Sequence, residues 1–293
     1  MAISLVSEAG GTLDFAREFR PRMMSVAYRM LGSIVDAEDA VQDAFLRLHT
    51  AHDVSSPEGF LIRTTTRRCI DKLRANRLRE SYIGPWVPEP IDTSACVHDE
   101  NLQESLSLGF LIMLERLSPM ERAAFVLRTI FDYKYNEIGE ILEKSETYVR
   151  KIVSRAKEHL TEGAPRFRPP REQATELAER FVAACRLGDA KLFEQLLTED
   201  VEVYSDGGGK VTAARVVIRG RNRIARFLAK VFHTKRRDYD MHPAVVNGDP
   251  GVIFTLEDKV VHVASVRVDD GVRGVYMCLN PEKLTQWSNA RCD

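Results

Sequence analysis

Between Arg63 and Arg79 stand Arg63, Arg67, Arg68, Lys72, Arg74, Arg77 and Arg79 against one acid, Asp71, a net +6 over 17 residues. Cations at that density suit phosphates, whereas a merely solvated helical face would intersperse both signs. Asp71 reads as the partner of a local ion pair, with acceptance from a base as the alternative. A second cluster lies in YNEIGEILEKSETYVRKIVSRAKEHL, where Ser145, Glu146, Thr147, Tyr148, Arg150, Lys151, Ser154, Arg155 and Lys157 share a polar face. Val149, Ile152, Val153, Ala156 and Leu160 form the opposite apolar face, and Ile138, Ile141 and Leu142 form another just upstream. Two such helices, with Ser145 as N-cap of the second and Gly139 allowing close approach, make a helix-turn-helix. That unit sets the start of its second helix over base edges and lets later cations reach phosphates. Glu143 stands at the turn where glycine is usual, and a left-handed residue of another type costs about 1 kcal/mol. A generic helical hairpin is the alternative for this segment taken alone.

These side chains need helices to carry them. Apolar Ala37, Ala40, Val41, Ala44, Phe45 and Leu48 recur at steps of three and four, an amphipathic pattern. Asp36 is its expected N-cap, with Asp39 three residues on. TAHDVSSPEG is a loop, and Pro57 opens the cationic helix after Ser56. GPWVPEP ends the helical sequence, since three prolines and a glycine in seven residues cannot continue it. The helical pattern returns from Leu106 to Leu160, and GAPRFRPPRE breaks it again. Beyond Glu172 a helix leads into VEVYSDGGGKV, a strand entering a turn, and GRNRIARFLAKVF is another helix. VIFTLED, KVVHVASVRVDD and GVRGVYMCLN read as strands, so two helices on a curved antiparallel sheet is the economical arrangement. The expected domains are 12–80, all helical, a linker at 81–105, a helix-turn-helix domain at 106–163, a short linker at 164–171 and an α+β domain at 172–293.

Composition bounds the rest. With 29% charged and 44% hydrophobic residues and a net charge of −1 over 293 residues, the chain reads as globular and multidomain. Five scattered cysteines, with no CxxC pair and no HExxH, point to neither a disulfide framework nor a metal site, and no cofactor is implied. The start MAISLVSEAGG lacks the form of a signal peptide, and no apolar run approaches the ~20 residues that span a bilayer. A cytoplasmic protein with no membrane partner is the expectation.

The order of parts then matters. An acidic amphipathic helix (DAEDAVQDAFLRL), a loop, a basic helix, a linker and LSPMERAAFVLRTIFDYKYNEIGEIL together resemble the extracytoplasmic-function sigma factors over residues 12 to about 162. The resemblance implies that Asp36, Asp39, Gln42, Asp43, Phe45 and Leu46 dock on core RNA polymerase. It implies that the loop from Thr50 to Gly59, with Arg63, Arg67, Arg68, Lys72, Arg74 and Arg77, binds the −10 element of promoter DNA. The helix-turn-helix, through Ser145, Thr147, Tyr148, Arg150, Lys151, Ser154 and Arg155, would bind the −35 element.

The remaining C-terminal residues resemble a SnoaL-like domain, the cone fold shared with ketosteroid isomerases. WVPEP, DGGGK at 206–210 and NPEKL at 280–284 are similar to the sigma-factor subgroup in which such a domain is fused as a regulatory tail. The resemblance implies an interdomain gate made by Trp86, Pro88, Glu89, Asp206, Gly207, Gly208, Gly209, Lys210, Asn280, Pro281 and Lys283. In it Trp86 is an apolar anchor, Glu89 an acid for Lys210, and the glycines let another backbone come close; a plain hairpin turn is the alternative for GGG. Asp206 reads as a turn residue. A linker of roughly 25 residues spans at most ~80 Å, against ~70 Å for promoter boxes about two helical turns apart, so anything that shortens it holds the two DNA-binding domains apart from their targets. Two rivals stand beside this: an enzyme using Tyr204, Asp206, His233, His242 or His262 as a base, and a repressor that does not use polymerase. A small-molecule ligand in the C-terminal domain is an open alternative compatible with the sigma role.

Overall fold

The structure, a computed structural model, describes residues 9–75, 81–94, 105–160, 171–234 and 238–289. It comprises two compact units, Met1–Arg77 with Met113–Gly163, and Leu78–Ile112 with Ala164–Asp293. The stretch expected as a linker falls within the second unit.

The first unit is helical. Helix α1 (Ala9–Leu31), α2 (Ile34–Thr50) and α3 (Pro57–Ala75) bury Met23, Val26, Met30, Ala37, Ala40, Val41, Ala44, Leu61, Ile62, Cys69 and Ile70 between them. Burial pushes the Cys69 thiol well above its ordinary range, so it stays a packed thiol. The cap of α2 is Ser33, whose hydroxyl accepts from the Asp36 amide at 3.3 Å. Asp36 was expected to be that cap; it lies in the first turn, where its charge faces the positive end of the helix dipole. Pro57 opens α3 as anticipated, with Ser56 Oγ accepting from the Gly59 amide at 3.1 Å.

Helix α4 (Leu108–Leu114), most of which belongs to the second unit, precedes α5 (Pro119–Phe125), which runs into a π turn at Val126–Ile130. Ser118 and Glu121 form a reciprocal capping box that fixes the start of α5. Helix α6 (Tyr135–Leu142) and α7 (Glu146–Leu160) complete the unit. Arginines join these helices to α1–α3. Arg122, 3% exposed, donates from Nη1 to the Met30 carbonyl at 2.8 Å and to Glu115 at 2.7 Å. The Arg22 guanidinium lies over the Tyr133 ring at 5.1 Å and that of Arg29 over Phe131 at 5.6 Å. Burial lowers the Arg29 pKa to about 10.

The second unit places helices α8 (Arg171–Leu187), α9 (Ala190–Leu196) and α10 (Arg221–Thr234) against one sheet. Its strands are β1 (Leu197–Asp206), β2 (Ile218–Arg219), β3 (Asp240–Val246), β4 (Asp249–Leu256), β5 (Lys259–Val268) and β6 (Val272–Cys278), in the order β2-β1-β6-β5-β4-β3. The anticipated sheet was antiparallel under two helices; here β1 runs parallel to β6, with Tyr204 beside Tyr276 and Asp206 beside Cys278, and three helices cover one face. The parallel pair arises because the antiparallel β3–β6 meander ends by laying its last strand, β6, beside β1 in the same direction. Strand alternation divides the core. Val252, Phe254, Ala264, Val266, Val275 and Met277 face the helices, while Ile253, Val263, Tyr276 and Cys278 pack with Val87, Leu108, Leu284 and Trp287. So the second sheet face is covered by the segment around Val87, by the start of α4 and by the C-terminal helix α11 (Thr285–Asn289).

Candidate nucleic-acid interface and linker hub

Helix α3 carries its cations on two sides. Arg63 and Arg74 are exposed, and Arg74 is 3.9 Å from Asp71, the local pair expected from the sequence. Arg68 is bound to Asp43 at 2.5 Å, and Lys72 lies between Asp36 at 2.7 Å and Asp39 at 3.3 Å. The hydrogen bond from Arg68 holds the Asp43 carboxyl below its usual range. Arg67 donates to the Ile141 carbonyl at 3.4 Å and forms an ion pair with Glu143. Arg77 and Arg79 lie outside the described residues.

The sequence count of +6 thus overstates the charge that α3 offers to a ligand. Two of its cations meet the acids of α2 and a third meets the helix-turn-helix. The acids Asp36, Asp39 and Asp43, which the resemblance gives to polymerase docking, also form a seam with the cations of α3, because α2 and α3 pack side by side. Gln42 and Leu46 point outward, Leu46 being 61% exposed, and Phe45 is half-buried. Val35, 59% exposed, lies seven residues before Gln42 and so on the same face.

In the helix-turn-helix, Ile138, Gly139, Ile141 and Leu142 are buried from α6, and Val149, Ile152, Val153, Ala156 and Leu160 from α7. A Cβ on Gly139 would meet the Lys144 carbonyl at 2.7 Å, so only glycine permits this approach. Glu143 takes the left-handed conformation, φ 53° and ψ 49°, and its carboxylate reaches Arg67. Ser145 Oγ accepts from the Tyr148 amide at 3.3 Å and so acts as the cap of α7. Thr147, Tyr148, Arg150, Lys151, Ser154 and Arg155 are all exposed. Arg150 pairs with Glu146 at 2.6 Å and lies 4.3 Å from the Tyr135 ring centre; Ser154 donates to Glu158 at 3.3 Å. Arg155 meets Glu121 at 3.1 Å. Burial pushes the Glu121 carboxyl up, but hydrogen bonds from Ser118 and the Arg155 charge outweigh it and leave it below the usual range.

The second unit has its own centre at Asp206, whose side chain is fully buried. Oδ1 accepts from the Tyr82 hydroxyl at 2.6 Å and the Gly208 amide at 2.9 Å. Oδ2 accepts from the Val87 amide at 2.9 Å and Lys283 Nζ at 2.7 Å. Lys283 also donates to the Val87 carbonyl at 2.5 Å and sits 4.3 Å from the Trp86 ring centre. Asn280 donates to the Tyr82 hydroxyl at 3.1 Å and accepts from the Glu282 amide, with Pro281 opening the 3-10 turn. Burial, then the hydrogen bond donated to Asp206, pushes the Tyr82 phenol above its ordinary range.

Asp206 is therefore a buried hub, not the turn residue that its glycine neighbours suggested. Gly208 has φ +58°, and a Cβ there would fall 2.4 Å from Asn280; one on Gly207 would fall 2.4 Å from the Val211 carbonyl, and one on Gly209 2.8 Å from Ile83. Lys210 pairs with Glu282, not with Glu89 as anticipated, and Glu89, 3% exposed, is buried beside the buried Pro88. The sequence reading missed three further ties. Trp287 Nε1 donates to the Pro90 carbonyl at 2.8 Å. Asn247 exchanges hydrogen bonds with both backbone groups of Ile91. Thr93 Oγ1 donates to the Val245 carbonyl of β3 and accepts from the Gly248 amide in the β3–β4 turn. Their one signal in the sequence is Trp287 itself, a large apolar ring with a polar N–H that needs both cover and an acceptor.

Of the five residues considered as bases, four are engaged elsewhere and one lies at the surface. Asp206 is held by the linker; His262 stacks on Phe254 at 4.4 Å; His242 contacts Thr255 at 3.2 Å; the Tyr204 hydroxyl donates to Glu202; and His233 is exposed on α10. The helix-facing side of the sheet is packed with Phe181, Phe193, Phe232 and Phe254 in ring contact. Among the described residues no group of three acids, cysteines or histidines is placed to hold a metal, and no helix is long and apolar enough to cross a membrane.

Comparison with known proteins accounts for both units. Residues 15–79 match Sigma-70 region 2, residues 110–160 match Sigma-70 region 4, and residues 178–271 match the SnoaL-like domain. The chain is 36% identical over 285 residues to ECF RNA polymerase sigma factor SigJ of Mycobacterium tuberculosis, covering 91% of each protein. It is 28% identical to the probable ECF RNA polymerase sigma factor SigI of the same species, covering 92% of this chain and 93% of that one. The crystal structure of Mycobacterium tuberculosis SigJ superposes with a TM-score of 0.76 at 29% identity, covering 93% of this chain and 98% of that one. With two helical sigma regions followed by a SnoaL-like domain, and near-full-length similarity to SigJ, the chain belongs to the extracytoplasmic-function (ECF) RNA polymerase sigma factors.

Proposed function

We propose that this chain directs RNA polymerase to particular promoters and that its own C-terminal domain holds it in a closed resting state. The first part rests on family membership, and the relatives are sigma factors, not enzymes. Region 2 would meet the −10 element through α3 and region 4 the −35 element through α7, with Gln42, Leu46 and Val35 on the polymerase side. The site of action is then the cytoplasm, where polymerase and promoter DNA are.

The second part rests on the Asp206 hub. Residues 82–93 are tied to the sheet at Tyr82, Val87, Pro90, Ile91 and Thr93. A segment so held cannot extend, yet elements two helical turns apart demand a span of ~70 Å. Region 2 and region 4 also touch, through Arg67 and Glu143 and through Arg122 and Met30. Helices in contact cannot occupy separated elements together, and Arg67 cannot serve a phosphate while it serves Glu143. A holding term of 2–3 kcal/mol shifts the open population on the order of 100-fold.

The test is run-off transcription with purified core polymerase, comparing the full chain with Asp206→Ala, alongside co-purification with core enzyme. The proposal expects core binding by both and greater output from the variant. A chain that fails to bind core enzyme ends the first part; equal output from both proteins ends the second.

A further inference from the structure

The most basic stretch of the chain lies outside both sigma regions. Residues 221–237 contain seven arginines and lysines and no acid, a higher net charge than the α3 run over the same length. Helix α10 covers residues 221–234 of it, and buries Ile224, Ala225, Leu228, Ala229 and Phe232 against the sheet. Its opposite face is exposed and carries Arg223, Arg226 and Lys230. These are spaced by three and four residues, so they lie in one row.

The row differs from the cations of α3. Arg68 and Lys72 each meet acids of a neighbouring helix, whereas Arg226 donates only to the Asn222 carbonyl of its own helix, and no ion pair among the described residues links Arg223, Arg226 or Lys230 to a carboxylate. The arginines that are paired stand at the edge: Arg221 with Glu199 at 3.0 Å and Arg219 with Glu202 at 2.6 Å. Burial of the apolar side needs none of these three cations, so packing does not explain them.

We propose that this face of α10 binds the phosphates of duplex DNA, giving the C-terminal domain a sequence-independent DNA contact of its own. Seven helical steps from Arg223 to Lys230 carry the row over about 10 Å, a length along which B-DNA presents about six phosphates at one per ~1.7 Å of axis. Duplex is favoured over single strands because the exposed face offers no phenylalanine, tyrosine or tryptophan ring on which a base could stack; Phe232 is buried and Phe227 is packed against the core. It is favoured over an acidic protein because no exposed aromatic or large apolar residue lies on the face to anchor one. The contact needs no base readout, so it adds affinity and leaves promoter choice to the sigma regions.

The experiment uses the full chain and a 30-base-pair duplex of arbitrary sequence, with dissociation constants measured across a salt series. The variant Arg223→Ala, Arg226→Ala, Lys230→Ala is compared with a charge-matched control, Arg180→Ala, Lys191→Ala, Lys259→Ala, all exposed in the same domain. Each lost phosphate contact lowers the slope of log affinity against log salt by about 0.9. The triple variant is expected to lose about two to three units of slope and to bind more weakly at low salt, while the control keeps the wild-type slope. Core polymerase binding is measured with the same proteins. An unchanged DNA slope overturns the proposal, and if core binding weakens instead, the face belongs to a protein partner. Because the probe is free of promoter sequence and polymerase, the result does not depend on the sigma assignment.

Discussion

The carboxylate of Asp206 accepts the Val87 amide at 2.9 Å across 119 residues of sequence. A buried acid thereby fixes the backbone of a segment with no regular structure of its own, and Lys283 closes the arrangement by binding both Asp206 and the Val87 carbonyl. Pairing satisfies a charge that could not otherwise sit in the interior.

Removing that acid leaves Lys283 buried without its counter-charge. Asp206→Ala should destabilise the C-terminal domain by about 3 kcal/mol, read as an earlier transition in urea. Asp206→Ala combined with Lys283→Met should recover part of the loss, because it removes the orphaned charge as well. If the double variant is no more stable than the single one, the two residues do not act as a pair.

Glycine at 208 answers to φ and to space together. Gly208→Ala places a methyl group 2.4 Å from the Asn280 amide in a left-handed backbone, so Asn280 must leave Tyr82. Faster hydrogen exchange at the Val87 amide should follow, with sheet amides in β4 unchanged.

Glu143 is the unusual residue in the helix-turn-helix, left-handed and paired with Arg67. Glu143→Gly keeps the turn, which glycine prefers, and removes the tie to α3. Arg67 is then released toward DNA, and affinity for a duplex carrying the −10 sequence should rise severalfold at low salt. Gly139→Val has the opposite character: the clash with the Lys144 carbonyl is with backbone, so the two helices must part. Binding to the −35 element should fall at least tenfold while circular dichroism shows the first three helices retained.

Acid should loosen the first unit. Asp43 and Glu121 both titrate below their ordinary ranges in the folded chain. The stability they supply is fully present above the unfolded carboxylate pKa, about 4, and is lost as pH falls through their lowered values. Urea midpoints measured from pH 6 down to pH 3 should therefore decline mainly below pH 4, and Asp43→Asn should flatten the decline.

Much of this molecule was legible in its residues. The apolar faces of α6 and α7 emerge from spacing alone, because a 3.6-residue period marks burial directly. Ser145, Pro57 and the close approach at Gly139 follow from local stereochemistry. What spacing could not supply was partnership between distant segments. Nothing in a linear count reveals that Asp43, Asp36 and Asp39 lie beside Arg68 and Lys72. Lys210 was matched to Glu89 on charge alone, when Glu282 was the neighbour brought near by the turn after β6. Asp206 read as a turn residue since three glycines follow it, and its burial depends on the backbone of the proline-rich segment, whose approach to this acid no local pattern marks. The parallel pairing of β1 with β6 was hidden for the same reason, being a property of the whole sheet.

The central claim is that regions 2 and 4 rest together and part only when the C-terminal domain releases the linker. Fluorescence energy transfer between labels at Thr50 and Lys157 measures this directly. The account predicts high transfer in the free chain, a larger low-transfer population in Asp206→Ala, and low transfer once core polymerase and promoter DNA are bound. Equal transfer in all three samples would contradict it.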